Sequence, residues 1–360
     1  MLKSNVRIIK GISLLILLSW FNRILGFLSI IILARILQPE DFGVMAIIVL
    51  ALQFTETLTD IGSEQYYIQK KNASAADLNC AWSSNLLMKI LTSIIFAVSS
   101  PFIASYFDVT HLLDAFLIIS LLPIINALNN GWILQLKKDI DYKKITQVAA
   151  ASKLIGNIAS IVLALVLKSY WALIIGTILS SSLYVLFSYA FIKRRATFSL
   201  INWQEQFHFS KWVISKGVIG HIRAKFDSWF AINIQGLTGL GVYNVSKDIV
   251  LLPSREFLSP ISQVFFTSIA QSTNYSNEQQ LKIRKSLTII SIIAFPIALG
   301  WEAIATPFVH VVLGENWIPH IPVIASLGLL VVTFSLGNFI SQLMTATGNV
   351  KSLFYYDIIT

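Results

Sequence analysis

Apolar runs of about twenty residues repeat along the whole chain, and short polar segments separate them. A run of this length forms a helix that can cross the hydrocarbon core of a membrane. The pattern predicts ten complete spans and the start of an eleventh. Six of them run from Gly11 to Leu37, Phe42 to Thr59, Cys80 to Phe102, Leu112 to Leu136, Ile145 to Leu167 and Trp171 to Ile192, and the others begin at Lys211, Gly239, Leu281, Ile321 and Asn349.

The first span carries a polar stripe with Arg23 near its middle. Ser19, Asn22, Gly26 and Ser29 share that face at helical spacing, whereas the other faces consist of Leu, Ile and Phe. A charged side chain at the centre of a bilayer costs roughly 2.5 to 3.5 kcal/mol on insertion scales, so we expect this face to point away from lipid.

Most of the other predicted spans also have one polar face, which indicates that these faces meet inside a helical bundle. The stripes are Gln53, Glu56 and Asp60; Asn85, Lys89 and Thr92; Lys153, Asn157 and Ser160; Lys216, Gly220, Arg223 and Asp227; Asn244, Asp248, Arg255, Ser259 and Ser262; and Ser335, Asn338, Gln342 and Thr345.

Composition agrees with an all-α, polytopic membrane protein. Hydrophobic residues make up 55% and charged residues 12% of the chain, whereas soluble domains carry roughly 25% charged residues. The mean hydropathy is +0.71. The single cysteine, Cys80, excludes an internal disulfide, and the chain has no P-loop, HExxH or GxSxG pattern. We therefore expect neither an enzyme nor a cofactor or metal site.

Lys and Arg are distributed unevenly between alternate loops. Of 27 basic residues, 17 lie in loops on one side of the predicted membrane, 2 lie on the other and 8 lie within spans. Because positive charge is retained in the cytoplasm, this places the N-terminus there. The pI near 9.5 reports topology, so we expect no nucleic-acid partner.

The charges within the predicted spans favour a cationic cavity. Eight basic residues stand against five acidic ones, Glu56, Asp227, Asp248, Glu256 and Glu302. An excess of cation suits an anionic substrate, since Arg and Lys bind phosphate. The candidate substrate-binding residues are Arg23, Lys89, Arg223, Arg255 and Lys247. Ion pairs between helices are the alternative reading, and Trp212 to Lys225 could instead lie along the membrane surface.

A faint internal repeat predicts two lobes. Asp41 to Met45 reads DFGVM and Gly239 to Tyr243 reads GLGVY, 198 residues later. Repeated halves in transporters often enclose a substrate site. We expect a six-helix lobe over residues 1–195 and a second lobe over 196–360. The apolar run continues to Thr360, so we expect the second lobe to be truncated.

The run from Leu33 to Ala46, LARILQPEDFGVMA, resembles the first-loop signature of bacterial polysaccharide exporters and O-antigen flippases. Asp60 to Gly62, Tyr67 to Lys70, Gly241 to Tyr243 and the proline-bearing region Leu252 to Pro260 are similar to later parts of that family. The family belongs to the multidrug, oligosaccharidyl-lipid and polysaccharide exporter superfamily. The chain most resembles its colanic-acid and teichuronic-type branch.

This resemblance implies a two-lobed bundle that moves an undecaprenyl-diphosphate-linked oligosaccharide across the bacterial inner membrane by alternating access. The diphosphate would then meet the cationic residues, and sugar hydroxyls would meet Asn126, Asn129, Asn130, Asn338 and Gln342. Glu56, Asp227 and Glu302 are candidates for ion coupling. Expected partners are the lipid-linked oligosaccharide, membrane lipids and the polymerase and chain-length machinery, with the chain itself monomeric. A multidrug or cation antiporter and a membrane-embedded polymerase remain the alternatives.

Overall fold

The computed structural model describes residues 20–70, 72–262 and 277–346, which are almost entirely helical. The predicted all-α membrane fold is confirmed in this part of the chain. Seven segments there are long and apolar enough to cross a membrane, and each overlaps a predicted span: Pro39–Thr59, Ala75–Tyr106, Thr110–Ala127, Lys143–Leu167, Trp171–Phe191, Gln279–Leu313 and Glu315–Met344. The start of the first predicted span, the span from Asn349 and the chain end lie outside the described residues.

Close packing divides the chain into two compact units. Of the described residues, those up to Leu37 and over Val44–Asn233 form the first, and those over Gln38–Gly43 and from Ile234 form the second. The first unit holds α1 (20–36), most of α2 (Pro39–Thr59), α3 (Ser63–Gln69), α4 (Ala75–Tyr106), α5 (Leu113–Ile119), α6 (Leu122–Ala127), α7 (Trp132–Lys138), α8 (Lys143–Leu167), α9 (Trp171–Phe191) and the start of α10 (Trp203–Val250). The second holds the rest of α10, α11 (Asn277–Phe308), α12 (Ile321–Ser326) and α13 (Leu330–Ala346). The predicted lobes stay a prediction, because a division by packing need not follow them.

The second predicted span is followed by a break and a short helix. Pro39 opens α2, where it needs no backbone donor, and the Asp41 carboxylate accepts the N–H of Gln38 at 2.9 Å. After α2 the Asp60 carboxylate accepts the N–H of Gly62 at 2.9 Å, and Gly62 adopts the left-handed conformation with φ of 63°. The chain then restarts as α3.

The fourth predicted span is broken rather than continuous to Leu136. Residues 128–131 separate α6 from α7, and Asn130 is completely buried there. Its Nδ2 donates to the carbonyls of Ile192 and Arg194, both at 2.9 Å, and its Oδ1 accepts the N–H of Trp132 at 3.0 Å. The amide thus replaces backbone bonds that an unbroken helix would have made.

Small residues let α8 and α9 pack closely. A Cβ atom on Gly176 would lie 1.7 Å from the Ser160 Oγ, and one on Gly156 would lie 2.4 Å from the Ser180 Cβ. Stripes of small residues let membrane helices approach each other in this way. This close packing holds α8 and α9 in position relative to each other. Polar residues of both helices line the site described below.

In the second unit, the first turn of α2 lies directly against α10. The latter bends at Gly236, which has φ of 66°. Just beyond the bend, a Cβ on Gly241 would lie 1.9 Å from the Pro39 carbonyl oxygen, and a Cβ on Gly43 would lie 1.9 Å from that of Leu237. Backbone therefore packs on backbone here, and glycine is required on both sides.

Candidate functional site

A cavity of about 260 Å³ lies in the first unit, where the break after α2 joins walls formed by α3, α4 and α7. We call it the charged cavity, because its lining includes Asp60, Glu64, Lys89 and Lys137. The non-helical break after α2 is compatible with this position, because non-helical segments of membrane proteins are tolerated where they line a cavity. Two carboxylates and two ammonium groups balance in formal charge, whereas the sequence predicted an excess of cation.

The two lysines of the charged cavity are held by ion pairs that join different helices. Lys89 Nζ on α4 lies 2.7 Å from Glu56 Oε1 on α2, and the two side chains keep 24% and 30% of their surface exposed. Lys137 Nζ on α7 donates to both Glu64 carboxylate oxygens on α3, at 2.7 and 2.8 Å. Both ammonium groups are therefore fixed in the cavity wall while remaining partly open to a ligand.

A second cavity, of about 360 Å³, adjoins the first. We call it the amide cavity, since Asn22, Asn126 and Asn129 line it together with Lys153 and Tyr184. Asn129 and Tyr184 belong to the walls of both cavities. The Asn22 Oδ1 atom is buried without a hydrogen-bond partner among the described residues. Such an atom is costly to leave unpaired, so the wall offers an acceptor that a hydroxyl-bearing ligand would satisfy.

The predicted cationic residues do not all lie here. Of the five, Lys89 lines the charged cavity, and Arg23 and Arg223 are exposed elsewhere in the first unit. Arg255 and Lys247 belong to the second unit. There the Arg255 guanidinium lies 3.1 Å from Asp248 Oδ1, and the Lys247 ammonium lies 5.2 Å from the centre of the Tyr243 ring.

Of the predicted sugar-contacting amides, Asn126 and Asn129 line the amide cavity. The side-chain amide of Asn130 instead makes the backbone contacts at the α6–α7 break. In the second unit, Gln342 Nε2 donates to Asn338 Oδ1 at 3.1 Å, and Gln342 Oε1 is buried with no partner among the described residues.

The three candidates for ion coupling have different surroundings. Glu56 pairs with Lys89, as described above. The Asp227 carboxylate accepts the N–H of Ser228 at 2.7 Å, and Glu302 is exposed on α11. Of the three, Glu56 is the residue whose ion-pair partner, Lys89, lines the charged cavity.

Sequence reasoning missed several residues of these walls, among them Glu64, Trp82, Lys137 and Tyr184. In the sequence, Lys137 was assigned to a loop and used only to predict which side of the membrane that loop lies on. The sequence alone does not distinguish a loop lysine from a lysine that lines a cavity. Tyr184 could have been found, since Thr177, Ser180, Ser181 and Tyr184 form one polar stripe on α9.

A separate polar network fastens α3 to α4 and to the start of α10. Lys70 Nζ lies 2.8 Å from Glu205 Oε2 and 2.9 Å from Asp77 Oδ1. Tyr66 donates its hydroxyl to the same Glu205 oxygen at 2.8 Å. Hydrogen bonding to Glu205 raises the pKa of Lys70 above its ordinary 10.5. The bond from Lys70 lowers the pKa of Glu205 below its ordinary 4.5.

These shifts predict a plateau in the stability that Lys70 contributes. A lowered carboxyl pKa stabilises the fold above the ordinary value and loses its effect as pH falls through the folded value. A raised lysine pKa stabilises the fold below the ordinary value and loses its effect as pH rises through the folded value. We expect Lys70→Met to lower the melting temperature by a similar amount from about pH 5 to about pH 10, with a smaller difference near pH 3. Thermal melts in detergent across this range measure it, and a difference that keeps growing toward pH 3 would contradict the network.

Solved structures show the fold. The chain matches the lipid II flippase MurJ in its inward closed conformation with a TM-score of 0.66, covering 95% of this chain and 77% of that one at 16% identity. An inward-facing multidrug resistance transporter of the MATE family and the MOP superfamily matches with a TM-score of 0.61 over 94% and 83% of the two chains, at 15% identity.

Comparison of sequences shows the family. The chain is 23% identical over 342 residues to the lipopolysaccharide biosynthesis protein WzxC of Escherichia coli strain K12, covering 93% of this chain and 69% of that protein. A family model described as polysaccharide biosynthesis protein matches residues 32–322, most of the chain. The chain therefore belongs to the polysaccharide biosynthesis protein family.

Proposed function

We propose that this chain carries a lipid-linked oligosaccharide from the cytoplasmic to the outer face of the bacterial inner membrane by alternating access. The adjoining charged and amide cavities carry the proposal. They place fixed ammonium groups next to neutral amide, hydroxyl and phenol groups inside a membrane-spanning unit. An undecaprenyl-diphosphate-linked glycan needs these two chemistries side by side. Family membership and the flippase-like fold support the same reading.

In this proposal the diphosphate approaches Lys89, Lys137 and Lys153, which donate charge-assisted hydrogen bonds. The sugar hydroxyls meet Asn22, Asn126, Asn129 and Tyr184. Charge balance in the cavity wall favours transient binding, because a substrate that must leave on the other side cannot be held by a strong excess of cation. The polar groups are thus arranged for recognition rather than for tight retention.

The remaining predicted residues keep assigned roles in the proposal. Arg23, Arg223, Arg255 and Lys247 attract the diphosphate along its path, and Asn338 with Gln342 contacts sugars in the second unit. Glu56, Asp227 or Glu302 carries a coupling ion. We further propose an inner-membrane location with the N-terminus in the cytoplasm, a monomeric carrier, and association with the polymerase and chain-length machinery.

Complementation tests the function. The chain is expressed in a strain that lacks its own O-antigen flippase, its presence in the membrane is verified, and surface glycan is measured. Restored glycan is the expected result. Absence of rescue, together with no movement of a fluorescent lipid-linked glycan in proteoliposomes, would refute the proposal, and drug efflux by the same vesicles would favour an antiporter instead.

Two neighbouring asparagines should respond differently to alanine. Asn129→Ala removes a cavity amide, so we expect export to fall about tenfold, equivalent to about 1.4 kcal/mol, with normal protein levels. Asn130→Ala removes the amide that the buried Ile192 carbonyl, the Arg194 carbonyl and the Trp132 N–H share, at about 1–3 kcal/mol for a buried group left without a partner, so we expect loss of folded protein. Membrane level and surface glycan, measured together, separate the two effects. Equal protein loss in both variants would contradict the distinction.

A further inference from the structure

A separate apolar groove opens along the first unit, bounded by α2, α4 and α10. Its volume is about 650 Å³, within the range of ligand-binding cavities. Phe54 and Leu58 from α2, Ile103 from α4 and Phe226 and Trp229 from α10 line it. Several of these large side chains remain exposed, such as Phe226 at 59%, so the groove is open to its surroundings.

The groove lining holds cationic or neutral titratable groups and no carboxylate. His221 and Lys225 are its titratable members. The His221 Nδ1 atom lies 3.4 Å from the Thr57 hydroxyl. Among the described residues, no carboxylate lies within ion-pairing distance of Lys225. An anionic lipid would therefore meet an ammonium group here without competition from an acidic side chain.

One face of α4 connects the charged cavity to this groove. Asn85 and Lys89 line the cavity, and Ile95, Ser99 and Ile103 line the groove further along the same helix. These positions follow each other at intervals of 4, 6, 4 and 4 residues, so they lie on one side of the helix. The stripe is polar in its first part and apolar in its second.

The change of lining occurs at a fixed contact between α2 and α4. The buried hydroxyls of Thr59 and Thr92 lie 2.6 Å apart there. Lys89 and Ile103 are separated by fourteen residues of helix, which span about 21 Å at 1.5 Å per residue. Since α4 begins after the loop predicted to be cytoplasmic, a lipid with its head group toward the cytoplasm would align its polar and apolar parts with this stripe.

We propose that the groove holds the isoprenoid chain of the lipid-linked substrate while its head group occupies the charged cavity. This rests on the export function proposed above. Lipid tails are as apolar as the groove, so burial alone gives little selectivity in a membrane. Selectivity comes from aromatic packing of Phe54, Phe226 and Trp229 against the chain.

Photochemical labelling tests the site. The purified chain in phosphatidylcholine vesicles is irradiated with a polyisoprenyl phosphate that bears a diazirine on its chain, and labelled peptides are mapped by mass spectrometry. We expect labels on the α2 segment around Phe54 and the α10 segment around Phe226. An excess of unlabelled polyisoprenyl phosphate should compete, whereas phosphatidylglycerol should not.

Matched variants make the test specific. Ser99→Phe places a ring in the groove, while Val98→Phe places the same ring on the adjacent position, whose side chain is 66% exposed outside the groove. We expect Ser99→Phe to abolish labelling and Val98→Phe to leave it unchanged.

Three results would overturn the groove assignment: labels that map outside the groove, equal labelling of the Ser99→Phe and Val98→Phe proteins, or equal competition by phosphatidylglycerol. Complementation by the wild-type chain distinguishes this failure from failure of the export proposal. Rescue of surface glycan with labels elsewhere refutes the groove alone. Groove labelling in a chain that moves no lipid-linked glycan refutes export.

Discussion

Gly241→Ala should destabilise the protein strongly, whereas Gly300→Ala should leave it unchanged or stabilise it slightly. A Cβ atom at position 241 would lie 1.9 Å from the Pro39 carbonyl oxygen and 2.7 Å from the Gly43 nitrogen. Both are backbone atoms, so no side chain can turn away to make room. Overpacking usually costs about 1–3 kcal/mol and sometimes more, and we expect about 3 kcal/mol here.

Gly300 is the matched control because it also lies in a helix of the second unit. A Cβ there would meet no atom within 4 Å. Alanine exceeds glycine in helix propensity by about 1 kcal/mol, so the two substitutions should have opposite signs. Thermal unfolding of detergent-purified fluorescent fusions measures both. Equal melting temperatures for Gly241→Ala and Gly300→Ala would show that the close approach at Gly241 does not limit stability.

The same contact explains what the sequence pattern could and could not reveal. DFGVM at Asp41 to Met45 and GLGVY at Gly239 to Tyr243 were similar enough to predict a repeat, and the matching glycines are Gly43 and Gly241. The structure brings these glycines together at one backbone crossing. A close approach requires glycine on both sides, so similar local sequences can reflect mutual packing. Periodicity along one chain carries no information on which segments touch.

Span positions were predictable because hydrophobic length depends on sequence alone. Breaks within spans were harder to predict. Asn129, Asn130 and Gly131 signal a turn, yet the surrounding apolar residues outweighed that signal, and the predicted helix ran on to Leu136. Only the tertiary partners of Asn130, the carbonyls of Ile192 and Arg194, show why a break is stable there.

The sequence predicted the kinds of side chain in the candidate site better than it predicted which residues line it. Polar stripes correctly placed Asn85 and Lys89 on one face of α4, and both line the charged cavity. Glu64 escaped notice, and the local charge balance that it forms with Asp60 was missed because charge was summed over all spans. Local electrostatics depends on which helices are neighbours, and the Lys137–Glu64 pair joins segments 73 residues apart.

Exchanging the charges of Glu56 and Lys89 should restore folding but not export. Each single substitution, Glu56→Ala or Lys89→Ala, leaves one charge in the wall without its partner 2.7 Å away. The pair is partly exposed, so we expect about 1–2 kcal/mol of destabilisation, less than the 3–5 kcal/mol typical of fully buried pairs. In the double variant Glu56→Lys with Lys89→Glu, opposite charges face each other again and stability should return.

Export separates the two interpretations of this ion pair. If Glu56 and Lys89 only tie α2 to α4, the charge-exchanged protein should export normally. If Lys89 also binds the substrate diphosphate, the exchange places a carboxylate in its position on the stripe with Asn85, and repulsion should reduce export at least tenfold, about 1.4 kcal/mol.

The measurement combines melting temperature with surface glycan in the flippase-deficient strain. Lys285→Ala, which removes an exposed lysine in the second unit, controls for loss of positive charge in general and should leave both values unchanged. Full recovery of export by the charge-exchanged variant would assign Lys89 a purely structural role. Recovery of stability without recovery of export would show that the pair does more than tie α2 to α4, as expected if a phosphate entering the charged cavity meets the Lys89 ammonium group.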